Sequence, residues 1–454
     1  MRAIIVRAAW PLIFVGSLTR SAQAGDRAEA HVFDKVFPGS NGRSCATCHV
    51  LDEHTTLTPE NVARRFANDP DDPLFSALDA DDPTAEELTY AHLLQGLVRI
   101  VFSLPDNMDV IDDDGQVITS PDRTIFVWRS VPSVENVALS APYQLDGRIG
   151  DLPAQAQAAI TAHAEGPRVS TQSLDSIARF ELGSFSSGRA RQVARWLDAG
   201  WPLDTLPIPE ARMRLSGEER RGREVFETAC APCHGGATTR QIVDREAHDA
   251  LFFELSPEGN VVYDVAPGEV PQPRRARHDG EFLNVGFGLL SGYGQLGILP
   301  MFNASVELPR YRFRFYTDGT RRQRVTDLPP IPAGASGATF DPTPALDERG
   351  APIVGPSLAN EWFSTDPGRA IITGDPLDFE AFDVPQLRGV AHTAPYFHDN
   401  SAGTLADVVD NYSRFILVFF DFDLPQNPPE FEGGPPESLS PAQKADLLAF
   451  LRRL

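Results

Sequence analysis

The sequence predicts a mostly α-helical protein built as two similar units in tandem. Three observations carry this expectation. A short motif occurs twice, as Cys45-Ala46-Thr47-Cys48-His49 and Cys230-Ala231-Pro232-Cys233-His234, 185 residues apart. A longer segment, Val131-Pro132 to Asp146-Gly147, recurs 253 residues later as Val384-Pro385 to Asp399-Asn400. Helix-start signals also precede apolar residues at helical spacing. Ser216 has Glu219 three residues on, and Ser440-Pro441 stands ahead of Leu447, Leu448, Phe450, Leu451 and Leu454. A chain of 454 residues suits two or three domains.

Taken in order, the chain opens with a leader. Arg2 and Arg7 flank the start of an apolar run, Ala8 to Leu18, and Ala22-Gln23-Ala24 supplies a small-x-small cleavage site. Residues 1–24 read as a secretory signal peptide, with the mature chain starting near Gly25 and located in the periplasm, where disulfides are permitted. No later stretch reaches 18 apolar residues, so no transmembrane segment is expected. The formal net charge of −23 argues against nucleic acid as a partner, because a phosphate backbone needs a basic surface. Trp201-Pro202 to Pro209 reads as a proline-punctuated linker, dividing the chain into 25–205 and 206–454.

The two short motifs contain every cysteine of the chain. A redox dithiol, a zinc half-site and plain disulfides are the alternatives for one C-x-x-C-H. Two copies in an exported protein point instead to two covalently bound haem c groups. Thiols two residues apart reach the two vinyl groups of one porphyrin, and the adjacent histidine sits beneath the iron. Cys45, Cys48, Cys230 and Cys233 would attach the haems, and His49 and His234 would ligate the irons. The helix beginning after Ser216 would deliver Cys230 at its C-terminal end, and the terminal helix would pack on it. The expected fold is thus two cytochrome c-type domains in tandem with loop- and hairpin-containing insertions, at about 50–120 and 240–380.

Two C-x-x-C-H domains with Val384-Pro385-Gln386-Leu387-Arg388-Gly389-Val390-Ala391-His392-Thr393-Ala394-Pro395-Tyr396-Phe397-His398-Asp399 after the second resemble the bacterial dihaem cytochrome c peroxidase superfamily, which includes the MauG enzyme. The resemblance implies that hydrogen peroxide reacts at the N-terminal haem while electrons enter through the C-terminal one. It implies a redox partner protein, a small cytochrome c or cupredoxin, or else a protein substrate. It places the sixth ligand of the second haem fourteen residues after His398, at Tyr412. Met301, in a proline-rich loop, is the competing ligand, and a packing role for Tyr412 is the other alternative. At the first haem the resemblance implies Gln155 and, ten residues later, Glu165 as the distal catalytic pair. Ala154 to Ala164 is a strong helix by composition, and Gly166-Pro167 would end it. On that helix Glu165 and His163 lie about 80° to either side of Gln155, so the wheel does not choose between them. The resemblance favours Glu165 for moving a proton.

Two positions depart from the family pattern. Leu145 stands where the family commonly has a tryptophan relay before Asp-Gly-Arg. Ser130 replaces the asparagine that often binds an inter-haem Ca²⁺, leaving the Thr393 and Pro395 carbonyls as candidate ligands. In the second insertion, Arg310 to Tyr316 alternates with period two, Asp318-Gly319 makes a turn and Arg321 to Val325 returns. Tyr311, Phe313 and Phe315 would face inward and six arginines outward, either as a basic docking patch or as a solvated hairpin face. The functional expectation is a dihaem peroxidase/MauG-like oxidoreductase; the alternative is a dihaem electron-transfer cytochrome without peroxidase activity.

Overall fold

The computed structural model describes residues 31–257, 262–264, 272–278, 280–284, 302–329, 363–417 and 438–454. The expected leader at 1–24 and Met301 lie outside the described residues.

In the first half the motif sits on a 3₁₀ turn, Cys45–Thr47, in which Ser44 and Thr47 cap each other. Helix α1, Pro59–Asn68, starts with Thr58 accepting from the Asn61 amide and Pro59 at its first position. Strand β1, Leu97–Ser103, is followed by β2, Met108–Ile111, and β3, Thr124–Ser130. Strands β1 and β3 pair antiparallel from Leu97↔Ser130 to Ser103↔Thr124. Three helices follow: α2, Leu152–His163; α3, Thr171–Gly183; and α4, Gly188–Asp198. Asp151, Ser170 and Ser187 cap them. Helices α2 and α3 pack together over Phe33, Phe37 and Ile177.

In the second half α5, Gly217–Ala229, carries the expected Ser216/Glu219 capping box and ends at Cys230. Strand β4, Phe282–Asn284, precedes β5, Arg312–Tyr316, and β6, Arg324–Leu328; β7, Ala381–Asp383, pairs antiparallel with β4. Helix α6, Leu405–Asn411, leads into a π turn, Tyr412–Ile416. The terminal helix α7, Pro441–Leu451, has its own Ser440/Gln443 box. It packs on α5 as expected. Phe226 and Phe450 meet at 5.3 Å between ring centroids, and Arg221 clasps Asp446 at 2.7 Å. Gly222 lets the helices touch, since a Cβ there would overlap the Asp446 carbonyl.

The repeated segment follows one backbone path twice. Left-handed residues occur at Asn136 and Gly389, Gln144 and Phe397, and Gly147 and Asn400. Bridges close Tyr143 to Ile149 and Tyr396 to Ala402. Each pair is offset by the same 253 residues as the sequence repeat.

Strand β2 pairs with β5, and β5 with β6, so a sheet joins chain regions about 200 residues apart. Phe313 and Phe315 are buried in its core, as the alternation requires. Four of the six arginines are paired with acids. Arg314 and Arg324 share Asp327, Arg312 meets Asp113 and Arg321 meets Asp109. A second ionic tie is buried between the halves. Arg129 bonds Asp366 through Nε and Nη2, at 2.6 and 2.9 Å, and Asp146 through Nη1 at 2.6 Å. Arg388 holds Glu210 of the linker region at 2.9 and 2.7 Å.

Candidate functional site

Both C-x-x-C-H motifs open onto one continuous cavity of about 510 Å³. Its wall includes Cys45, Cys48 and His49 at one end, and Cys230, His234 and Tyr412 at the other. Cys233 packs beside this end with Tyr412, against Leu251 and Phe252. No disulfide joins the four cysteines. Burial pushes the Cys45, Cys230 and Cys233 thiols up to about 12 and that of Cys48 to about 11.

The two histidines are held alike. His49 Nδ1 donates to the Thr55 carbonyl at 3.1 Å, and His234 Nδ1 donates to the Pro385 carbonyl at 3.2 Å. A carbonyl only accepts, so Nδ1 carries the proton and Nε2 keeps its lone pair. Burial lowers both imidazoles to about 4, keeping them neutral. Paired thiols, a neutral imidazole with Nε2 available and an apolar cavity are the donor set and surroundings that haem c requires.

The opposite walls differ between the two ends. At the second end, Tyr412 caps α6 and faces His234 with ring centroids 6.4 Å apart and planes at 66°. Burial and the nearby Cys230 and Cys233 hold its hydroxyl well above the usual range. His398 also lines the cavity, stacked on Phe382 at 4.2 Å. At the first end, Gln155 and His163 line the cavity from α2. Burial lowers the His163 imidazole.

Glu165 stands outside this wall. Helix α2 ends at His163, whose carbonyl accepts from Asn41 Nδ2 at 3.1 Å and Arg43 Nη1 at 3.2 Å. Glu165 then takes a left-handed backbone, φ 49°, and its exposed carboxylate accepts from Asn41 Nδ2 at 3.2 Å. The structure therefore brings together Gln155 and His163, and it leaves the expected partner Glu165 in solvent.

Leu145, Arg148, Phe382 and Asp383 also line the cavity. Burial pushes the Asp383 carboxyl up to about 7 although Arg240 is hydrogen-bonded to it. Sequence reasoning missed Glu181 on α3, a cavity-lining carboxyl that is 5% exposed. A signal was available. Ser170 and Ser440 both cap helices, and in that register Ile177, Phe180 and Glu181 match Leu447, Phe450 and Leu451. At the expected calcium position, the Ser130 amide donates to the His398 carbonyl at 2.6 Å. Among the described residues no three His, Cys, Asp or Glu side chains cluster as a metal site, and no helix is long and apolar enough to cross a membrane.

No protein-family model matches the chain. A cytochrome c551 peroxidase of Nitrosomonas europaea is 44% identical over 50 residues, 11% of this chain and 15% of that protein. The cytochrome-c peroxidase IdrP2 of Denitromonas iodatirespirans is 36% identical over 90 residues, 20% of this chain and 21% of that protein. The matches thus span about a fifth or less of these curated relatives. Among solved structures, a MauG-like protein associated with microbial copper homeostasis aligns over 95% of this chain and 88% of its own, at 16% identity and a TM-score of 0.37. A hydrazine synthase of Kuenenia stuttgartiensis aligns over 100% and 98% at 14% identity, with a TM-score of 0.40. Over these two segments the chain is similar to cytochrome c peroxidases.

Proposed function

We propose that the chain is an exported, periplasmic dihaem c-type oxidoreductase of the peroxidase/MauG kind. Its units would be a leader at 1–24, a peroxide-reacting domain at 25–205 and an electron-transfer domain at 206–454. The observation that carries the reading is the asymmetry of one cavity. Two motif histidines are held in the same way, yet one faces Gln155 and His163 while the other faces Tyr412.

Bound haem supplies the iron at which peroxide is reduced and the electrons are stored. The chain's own residues supply the rest. The Thr55 and Pro385 carbonyls fix the orientation of His49 and His234. Tyr412 offers an oxygen donor to the second iron, and a hard anionic donor favours the ferric state. Gln155 orients peroxide by hydrogen bonding. His163, an imidazole on the cavity wall that burial keeps neutral, would accept a proton from one peroxide oxygen and return it to the departing one. Electrons come from a small cytochrome c, a cupredoxin or a residue of a protein substrate.

Intact mass should show two haem additions on a chain beginning near Gly25. In stopped-flow mixing with peroxide, His163→Gln should slow the reaction by about 10²–10⁴-fold, while Glu165→Gln should leave it unchanged. The reverse ranking returns the proton role to Glu165. A ferric low-spin signal at the first haem that His163→Gln abolishes would make His163 an iron ligand instead. A wild type inert to peroxide would establish the electron-transfer cytochrome.

A further inference from the structure

Glu181 is the buried acid of the first cavity end that the peroxidase reading does not use. It is 5% exposed, lines the cavity and has Oε2 without a hydrogen-bond partner. An ionised carboxylate in such a place is costly, so the group holds its proton. Desolvation alone accounts for its rise to about 8. Helix α3 packs against α2 and against the turn Val137–Leu139. That turn is apolar, and the ionisable side chain of α2 is His163 at its far end. The side chains that feel the charge of Glu181 are Cys45 of the motif and Tyr143 of the repeat. Asp34 and Asp151 act on those same two residues.

The chain contains its own control. In the second half the matching position of the terminal helix is Leu451, which is buried and also lines the cavity. The same kind of helix therefore presents a hydrocarbon at one end and an unpaired acid at the other.

We propose that Glu181 is a redox-linked proton carrier of the first haem pocket. It takes up one proton when the iron there gains an electron and releases it when the iron loses one. The inference rests on haem being attached at Cys45 and Cys48. The balance is simple. One electron arrives from a one-electron donor such as a reduced redox protein, one proton arrives from solvent, and the net charge of the pocket stays constant. A ferric centre carries one more positive charge than a ferrous one, and an opposite charge nearby favours the carboxylate. Reduction removes that charge, and desolvation then restores the acid.

The test is a spectroelectrochemical titration of the holoprotein from about pH 5 to about pH 9, a range spanning the raised carboxyl. The midpoint potential of the first haem should fall with rising pH at a slope of one proton per electron in a window near neutrality. Glu181→Leu copies the residue of the second unit and should flatten that slope, as should Glu181→Gln. The potential of the second haem should not change in either variant. Redox-difference infrared spectra should show a protonated carboxyl signal that Glu181→Gln removes. A flat wild-type profile, or a slope retained in both variants, overturns the proposal while leaving the peroxidase reading standing. A mature mass without haem on Cys45 and Cys48 overturns both.

Discussion

Arg129→Met would remove the one positive charge that two buried carboxylates share. Arg129 is 3% exposed, and Asp146 and Asp366 are no more than 1% exposed. The guanidinium makes bonds of 2.6 and 2.9 Å to Asp366 and 2.6 Å to Asp146, and it lies 4.9 Å from the Phe102 ring centroid. Methionine keeps much of the apolar stem but strands Asp366 in a dry site, while Asp146 keeps its ion pair with Arg148. Breaking a buried ion pair from one side costs about 3–5 kcal/mol, and the one stranded acid places this variant in that range. At about 2–4 °C per kcal/mol for a large domain, the melting temperature should fall by on the order of 10 °C. The pH dependence is the sharper reading. Burial would push the Asp366 carboxyl up, but Arg129 holds it below the usual range in the wild type. That contribution is present above the unfolded carboxylate range and is lost only as pH falls through the lowered value. In the variant burial outweighs the Gly368 amide bond that remains and the carboxyl rises, so stability is lost as pH increases. The deficit measured by calorimetry should therefore narrow from about pH 7 to about pH 5. A deficit below about 1 kcal/mol, or one independent of pH across that interval, would refute the argument.

Two further outcomes can be measured. Gly222→Ala should destabilise the protein by about 1–3 kcal/mol in thermal melts, because the new Cβ meets the Asp446 carbonyl; helix propensity alone would give a gain of about 1 kcal/mol, so the sign decides which effect governs. Tyr412→Phe keeps the ring but removes the oxygen. It should change the low-spin signal of the second haem and raise its potential, and an unchanged spectrum would move the ligand role to Met301.

What could be read from the sequence was local. The capping box at Ser216 and the Ser440-Pro441 start mark α5 and α7 because their signals lie within four residues. The motifs name their histidines for the same reason. The end of α2 was legible only approximately. Gly166-Pro167 signals a stop, but the stop occurs at His163, where Asn41 and Arg43 take the last carbonyl. Those two residues lie more than a hundred positions away, so no signal near the end of α2 announces them. The arginine hairpin misleads similarly. Its alternation places Phe313 and Phe315 correctly, but the acids that neutralise it include Asp109 and Asp113 from the first half. Pairing of β2 with β5 is non-local, and no pattern within either segment announces it.

The repeat explains how one chain can present two different environments to two similar motifs. Its backbone is duplicated down to the left-handed residues, so the scaffold itself does not distinguish the two ends. The difference lies in side chains projected from matching elements. Glu181 stands where the other helix has Leu451, and Gln155 and His163 form a polar wall at the end without Tyr412. A buried unpaired acid is costly to keep in a cavity, whereas a leucine is not. The polar cost is concentrated at one end, where the proposed reaction needs protons. The other end, lined by Leu405, Val409, Leu447 and Leu451, has the apolar surroundings suited to moving an electron without moving a proton.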